Sequence, residues 1–389
     1  MSEYQYYEFQ AIDRPLTRQE MSEVRGLSTR ATITPTRFVN VYHWGNFKGD
    51  PLTLMERYYD AFLYVANWGS HQLMLRLPLG VLDQETASRY CVQEEALCMH
   101  VTREHVILTF DSETDDIEEW EEWDEDEESL ATLLPLRADI ATGDLRSLYL
   151  GWLLCVQEEL LDNDVVEPPV PPGLGELSGQ LHALVEFLRI EHDLLEAAAE
   201  RSSAALKISP SLDEARQWLC ALSNAEKDAL LLRLTCDNVQ PLQAEVRRRI
   251  RESLPVEGAR GATGSRGRTV GELLEEANRK RQERERREAL EQARRQQEEA
   301  AARAAYLDSL AGREEEVWRQ VEILVGIKKP AEYAEAARLL TDLRDLAARE
   351  QKAEDFEVRL IDLRARNARK ISFLNRLNQA GLRPAQATR

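Results

Sequence analysis

Residues 62–77 read FLYVANWGSHQLMLRL. Two runs of aromatic, β-branched and long apolar side chains flank Trp68-Gly69-Ser70, and a glycine-centred turn between two such runs is the signature of an antiparallel hairpin. Upstream, Asp50 followed by Pro51 is a good helix start: the carboxylate caps free amides and proline loses nothing at the first helical position. That helix is expected to end near Tyr59. Thr32 to Trp44 reads as one strand or an irregular pair interrupted by Pro35. Thr17 with Glu20, just after Pro15, is a capping-box pattern, and Tyr4 to Ile12 is strand-like. Downstream, a helix is expected over Asp83 to Tyr90. Ala96 to Val101 and Val106 to Phe110 then flank a short polar turn, as a second hairpin would. The order β-α-β-α-β-β-α-β-β favours a mostly antiparallel α+β domain over residues 1–111.

Beyond it the chain reads as mainly helical. Thirteen of the eighteen residues from Asp111 to Glu128 are acidic, so 112–128 reads as a solvated loop. Trp120 and Trp123 within it offer a second reading, docking on a basic surface. A helical extension follows over 129–166, then a Pro/Gly linker over 167–176. A helical domain spans 177–253, where Leu177, Leu181, Leu184, Val185, Leu188 and Leu195 repeat at the spacing of one helical face. Residues 254–268, with glycines at every third position from Gly258 to Gly267, read as a flexible basic linker. Thr269 with Glu272 then opens a long charged helix over 269–311, anchored at its apolar ends around Leu273 and Leu307, with Glu283–Arg287, Glu291–Arg295 and Glu299–Arg303 pairs along it. No continuous apolar seam runs through it, so the spacing favours a lone spacer over a coiled coil. Gly312 should stop it. Residues 313–383 read as short amphipathic helices, a small helical-repeat-like module of tetratricopeptide type.

Composition narrows the function classes. Among 389 residues no run approaches the roughly 18 apolar residues of a membrane span. The first ten residues lack the basic and apolar parts of a secretory signal. Five widely spaced cysteines suit a reducing compartment, so a cytoplasmic protein is expected. The net charge of −20 is unevenly placed: residues 1–200 hold 39 acids and 13 bases, the remainder 31 acids and 37 bases. Such halves can attract one another, which allows a homo-oligomer.

Residues 332–382, EYAEAARLLTDLRDLAAREQKAEDFEVRLIDLRARNARKISFLNRLNQAGL, resemble the helical tail of bacterial SWIM zinc-finger proteins. The likeness lies in the Leu-Leu-x-Asp-Leu-Arg-Asp-Leu-Ala core and the closing Arg-Lys-x-x-x-Leu-x-Arg-Leu-x-x-Ala-Gly-Leu. Residues 50–78 are similar to bacterial proteins with no assigned activity. Of the family's zinc motif only Cys98-Met99-His100 matches the second half, so the zinc does not carry over. The resemblance implies a helical interaction module, in a family whose fingers are thought to bind nucleic acid or protein.

Cys91, Cys98, His100 and His105 are the only cluster with metal-like spacing, and alternation along a strand would put Cys98 and His100 on one face. The ligand pairs lack the usual two-residue spacing, so these residues are expected in the core and no metal or other cofactor is expected. No nucleophile elbow, His-Glu-x-x-His helix or phosphate-loop lysine is present. Basic clusters near 247–251, 260–268 and 279–287 are diluted by glutamate or by linker. Arg364, Arg366, Arg369, Lys370 and Arg376 are less compensated, and the last 39 residues hold nine bases against four acids. The reading is therefore a non-catalytic interaction or adaptor protein with a protein partner and no membrane. The alternative is a nucleic-acid-associated protein using the basic C-terminal face. A third reading, an enzyme in the N-terminal domain, would be sought first at Tyr42, His43, Trp44 and Asp60.

Overall fold

In the computed structural model, residues 3–92, 96–114, 130–204, 212–236 and 267–383 are described, with isolated positions between 242 and 250. Trp120 and Trp123, and most of the 112–128 and 254–268 segments, lie outside them. The first 112 residues form β1 (Gln5–Gln10), α1 (Arg18–Arg25), β2 (Thr32–Ile33), β3 (Arg37–Tyr42), α2 (Pro51–Arg57), β4 (Ala61–Ala66), β5 (His71–Pro78), α3 (Gln84–Ser88), β6 (Leu97–Val101) and β7 (His105–Ser112). The strands make one antiparallel sheet in the order β2-β3-β1-β4-β5-β7-β6. Pro35 falls between β2 and β3, where a missing N–H costs no ladder bond.

The β4–β5 hairpin pairs Leu63 with Leu73 and Val65 with His71. Gly69 turns it at φ 97°, and a β-carbon there would lie 2.2 Å from the Thr114 carbonyl oxygen, so both backbone angle and space demand glycine. Both runs are nearly all apolar because both sheet faces are covered. Leu63, Leu73, Leu75, Leu108 and Phe110 face one core, and Phe9, Phe38, Phe62, Met74 and Ile107 face another with residues of α1 and α2. The helix starts follow their caps. Thr53 N–H donates to Asp50 Oδ2 at 2.8 Å, and Thr17 and Glu20 close a reciprocal box.

Next come α4 (Leu130–Leu133), α5 (Pro135–Ala141), α6 (Arg146–Gln157), α7 (Gly179–Phe187), α8 (His192–Ala199), α9 (Leu212–Ala221) and α10 (Asn224–Cys236). Residues of α4 to α8 share the first core with the sheet. α6 is buried from Arg146 to Val156, and Gly151 lets it approach so closely that a β-carbon would meet Leu97 at 2.8 Å. The 167–176 stretch is seated against this helix, with Leu174 buried and Arg146 Nη1 donating to the Gly173 carbonyl at 3.2 Å. The single face expected from Leu177 to Leu195 is divided: Arg189 takes φ 55° and separates α7 from α8. Trp218 is buried, whereas Leu219, Leu231 and Leu232 are exposed.

The long helix α11 (Val270–Leu310) begins at the expected Thr269/Glu272 box. Arg268, read from sequence as the end of a flexible linker, is instead fully buried. It donates to Glu167 and Glu276 and to the Ala197 carbonyl, while residues 165–167 pair with 268–270 as a short antiparallel bridge. Val270, Leu273 and Ala277 join the first core, and Leu307 and Leu310 join that of the C-terminal helices. The Glu291–Arg295 pair is present at 2.9 Å. Arg303 departs from its expected partner Glu299 and binds Asp342 at 2.5 Å and Asp345 at 2.7 Å.

The chain divides into two units, residues 1–283 and 284–389. In the second, α12 (Glu314–Ile327), α13 (Pro330–Arg349), α14 (Ala353–Arg366) and α15 (Ile371–Gln379) are separated by left-handed residues at Lys328 and Gln351 and by the turn before Lys370, and Gly312 ends α11 at φ 81°. α13 is central, packing on α12, α14 and α15. Trp318, Val321, Tyr333, Leu340, Phe356, Leu360 and Phe373 form their core. Among the described residues no helix is long and apolar enough to cross a membrane.

Candidate interaction face of the C-terminal module

Cys91 and Cys98 lie close enough to interact, but the fold gathers no complete metal-ligand set from the metal-like cluster of the sequence among the described residues. Cys98 and His100 share a sheet face on β6, opposite Thr109 and Ile107, but His100 Nε2 lies 2.7 Å from Glu56 Oε1 and Cys91 packs against the first core. Burial pushes the Cys91 thiol up to about 12 and raises Cys98 too, disfavouring the thiolate that a metal needs. Burial lowers His105, as do the charges of Arg76. Among the described residues no group of three or more His, Cys, Asp or Glu is arranged to hold a metal ion.

The enzyme candidates of the N-terminal domain are also apart. Strand pairing sets Tyr42 opposite Gln5 and Ala61 opposite Gln10, so His43 and Trp44 lie beyond one end of β1 and Asp60 at the other. Asp60 is buried and accepts from the Ile12 and Asp13 amides at 2.6 and 2.9 Å and from Arg76 at 2.7 Å. Burial works against its charge, but Arg76 and the two amides outweigh burial and hold the carboxyl below its usual range. Tyr42 is buried, with its hydroxyl 3.4 Å from Ser28 Oγ; Trp44 is exposed, with the Arg30 guanidinium 4.8 Å from its ring centre. These residues brace the sheet or meet solvent, with Asp60 at the opposite strand end from His43 and Trp44.

At the C-terminal face the five basic residues separate into two groups. Arg364 is internal: Nη1 donates to the Leu382 carbonyl and Nη2 to Asn378 Oδ1, both at 2.9 Å. Arg366 is neutralised by Glu322 at 3.0 Å and Asp362 at 2.8 Å. Lys370 Nζ donates to the Val325 carbonyl at 2.9 Å, binding the α14–α15 turn to the carbonyl end of α12, where a cation is favoured. Arg369 and Arg376 are exposed and have no ion pair among the described residues.

The Lys370 bond carries a second consequence that linear reading missed. Residues 323–331 (ILVGIKKPA) and 367–383 (NARKISFLNRLNQAGLR) contain no acidic residue. Lys370 on Val325, and the Tyr333 ring 5.5 Å from that of Phe373, bring the two stretches together. The end of α12, with exposed Lys328 and Lys329 and with Ile327 46% exposed, therefore lies beside the α14–α15 turn, which carries exposed Arg369 and leads into Ile371, 70% exposed. Ile371, Ser372, Asn375, Arg376 and Gln379 line a shallow depression on the outer side of α15. The signal available in the sequence was the absence of acids from two stretches of an acid-rich chain, visible only once they are adjacent. No family model, curated protein or solved structure matches the chain.

Proposed function

We propose that this chain is a non-catalytic interaction protein of the cytoplasm that holds a protein partner through its C-terminal helical module. The observation that carries the reading is that Ile327 and Ile371, two of the module's exposed large apolar side chains beside Ile323, Val358 and Ile361, stand next to cations, Lys328 and Arg369, that have no ion pair among the described residues. Exposed apolar surface rimmed by polar groups is typical of a docking site. In the N-terminal unit the buried charges are already committed: Asp60 to Arg76, Arg268 to Glu167 and Glu276, Arg146 to Asp144. They hold the fold together and leave no open acid–base pair among themselves.

The test is affinity capture of the full-length protein from its source cells followed by mass spectrometry. The reading expects a protein retained in stable ratio through washing. Recovery of no retained protein would overturn it.

A further inference from the structure

We infer that the partner bound at this face is an acidic amphipathic protein segment, one presenting apolar side chains flanked by Asp or Glu. The inference rests on the interaction-protein reading above and adds the chemistry of what is bound. Two features of the surface point the same way. Its charge is mainly positive: Lys328, Lys329, Arg369 and Arg376 have no ion pair among the described residues, and of the acids bordering the two stretches Glu322 and Asp362 are paired with Arg366, leaving Glu332. Its apolar content is interleaved with that charge rather than set apart, because Ile327 directly precedes Lys328 and Ile371 lies two residues after Arg369. A segment that neutralised the cations while leaving the isoleucines in water would use half the surface, and a purely apolar one would bury cations unpaired. A helix with apolar anchors on one side and carboxylates beside them satisfies both.

Nucleic acid matches the surface less well. Polyanion binding draws on the release of counterions from several phosphates, commonly about six to ten. Here Arg364 and Lys370 are engaged inside the module, Arg366 is paired on its surface with Glu322 and Asp362, and exposed isoleucines offer nothing to phosphates. The polar groups of the α15 depression, Ser372, Asn375 and Gln379, can bond backbone or carboxylate oxygens at the rim of a docked peptide.

The experiment uses the full-length protein and three fluorescent probes read by anisotropy at low salt: a peptide of Glu and Leu at helical spacing, the same peptide with Leu replaced by Ser, and a short duplex DNA. The Glu/Leu peptide should bind about tenfold or more tighter than either of the others. Ile371→Asp and Arg376→Glu, both surface changes, should each weaken it by about tenfold, with helicity unchanged by circular dichroism. Val358→Asp, at an equally exposed apolar residue on α14, should leave it within about twofold. Absence of peptide binding, tighter binding of DNA, equal binding of the Ser peptide, or wild-type affinity in Ile371→Asp would each overturn the inference. If cellular capture still recovers a partner while the peptide result is negative, the interaction reading stands and this face is wrong. If capture recovers none, the reading itself fails.

Discussion

Burying Arg268 without solvent contact is tolerable because every side of the guanidinium is met: Glu167 Oε2 at 2.8 Å, Glu276 Oε2 at 2.6 Å and the Ala197 carbonyl at 2.9 Å, with Tyr149 also bonded to Glu167. Removing one member strands the others in low dielectric. Arg268→Met should therefore cost about 3–5 kcal/mol in urea unfolding, with part of the loss recovered when Glu167→Gln is added. His71 works through the opposite logic. Its Nδ1–H donates to the Phe187 carbonyl at 2.8 Å and Arg189 Nη2 donates to its Nε2 at 3.0 Å, an arrangement that requires the neutral ring. Burial, reinforced by Arg189, pulls its pKa down to about 4. An unfolded imidazole takes a proton near pH 6.5, so as pH falls from there toward 4 the unfolded state gains binding that the folded state lacks. Stability should drop across that window by about 3 kcal/mol more in the wild type than in His71→Gln. Equal pH slopes for the two proteins would contradict this account.

At the scale of elements, contact with buried partners separates the structural charges of α11 from the merely solvated ones. Arg295 meets Glu291 on an exposed surface, so Arg295→Ala should change stability by less than about 0.5 kcal/mol. Arg303 holds Asp342, which is buried in α13 and also accepts from the Tyr306 hydroxyl at 2.9 Å. Arg303→Ala should cost about 1.5–3 kcal/mol in the same unfolding measurement. Much of this level was legible in the sequence. The Trp68-Gly69-Ser70 turn, the Asp50-Pro51 start and the Thr17/Glu20 and Thr269/Glu272 boxes are local chemistry, and local chemistry formed the expected elements. The apolar faces from Val321 to Leu377 likewise became the core of the C-terminal module. What could not be read depends on distant residues. Nothing near Arg189 marks a break, since its left-handed turn is secured by bonds to Gly69 and His71 on the hairpin. Glu299 is the nearer partner for Arg303 along the helix, but Asp342 and Asp345 arrive from α13. The proposed docking face was half legible: Arg369 and Arg376 stood out, whereas Lys328 and Ile327 come near it only through the Lys370–Val325 contact.

For the whole molecule, the chain's strong negative charge makes its acid-free stretches informative. In a chain with 70 acidic residues, the two acid-free stretches of the C-terminal module leave four cations without an ion pair among the described residues, which would favour an acidic ligand. Each of the two units has its own apolar core, and each stabilises the elements that surround it. Leu340→Ala, which empties the centre of the C-terminal core, should cost that unit about 2–5 kcal/mol and abolish partner capture in proportion to the fraction unfolded. The central claim is that residues around Ile371 touch a protein in the cell. Its most direct measurement is a photo-crosslinking amino acid placed at 371 in the full-length chain, with a matched control at Glu298 on the exposed part of α11. The account predicts one discrete protein adduct at 371, absent at 298 and lost on Arg376→Glu. Adducts of equal yield at both positions, or adducts at 371 made of nucleic acid, would contradict it.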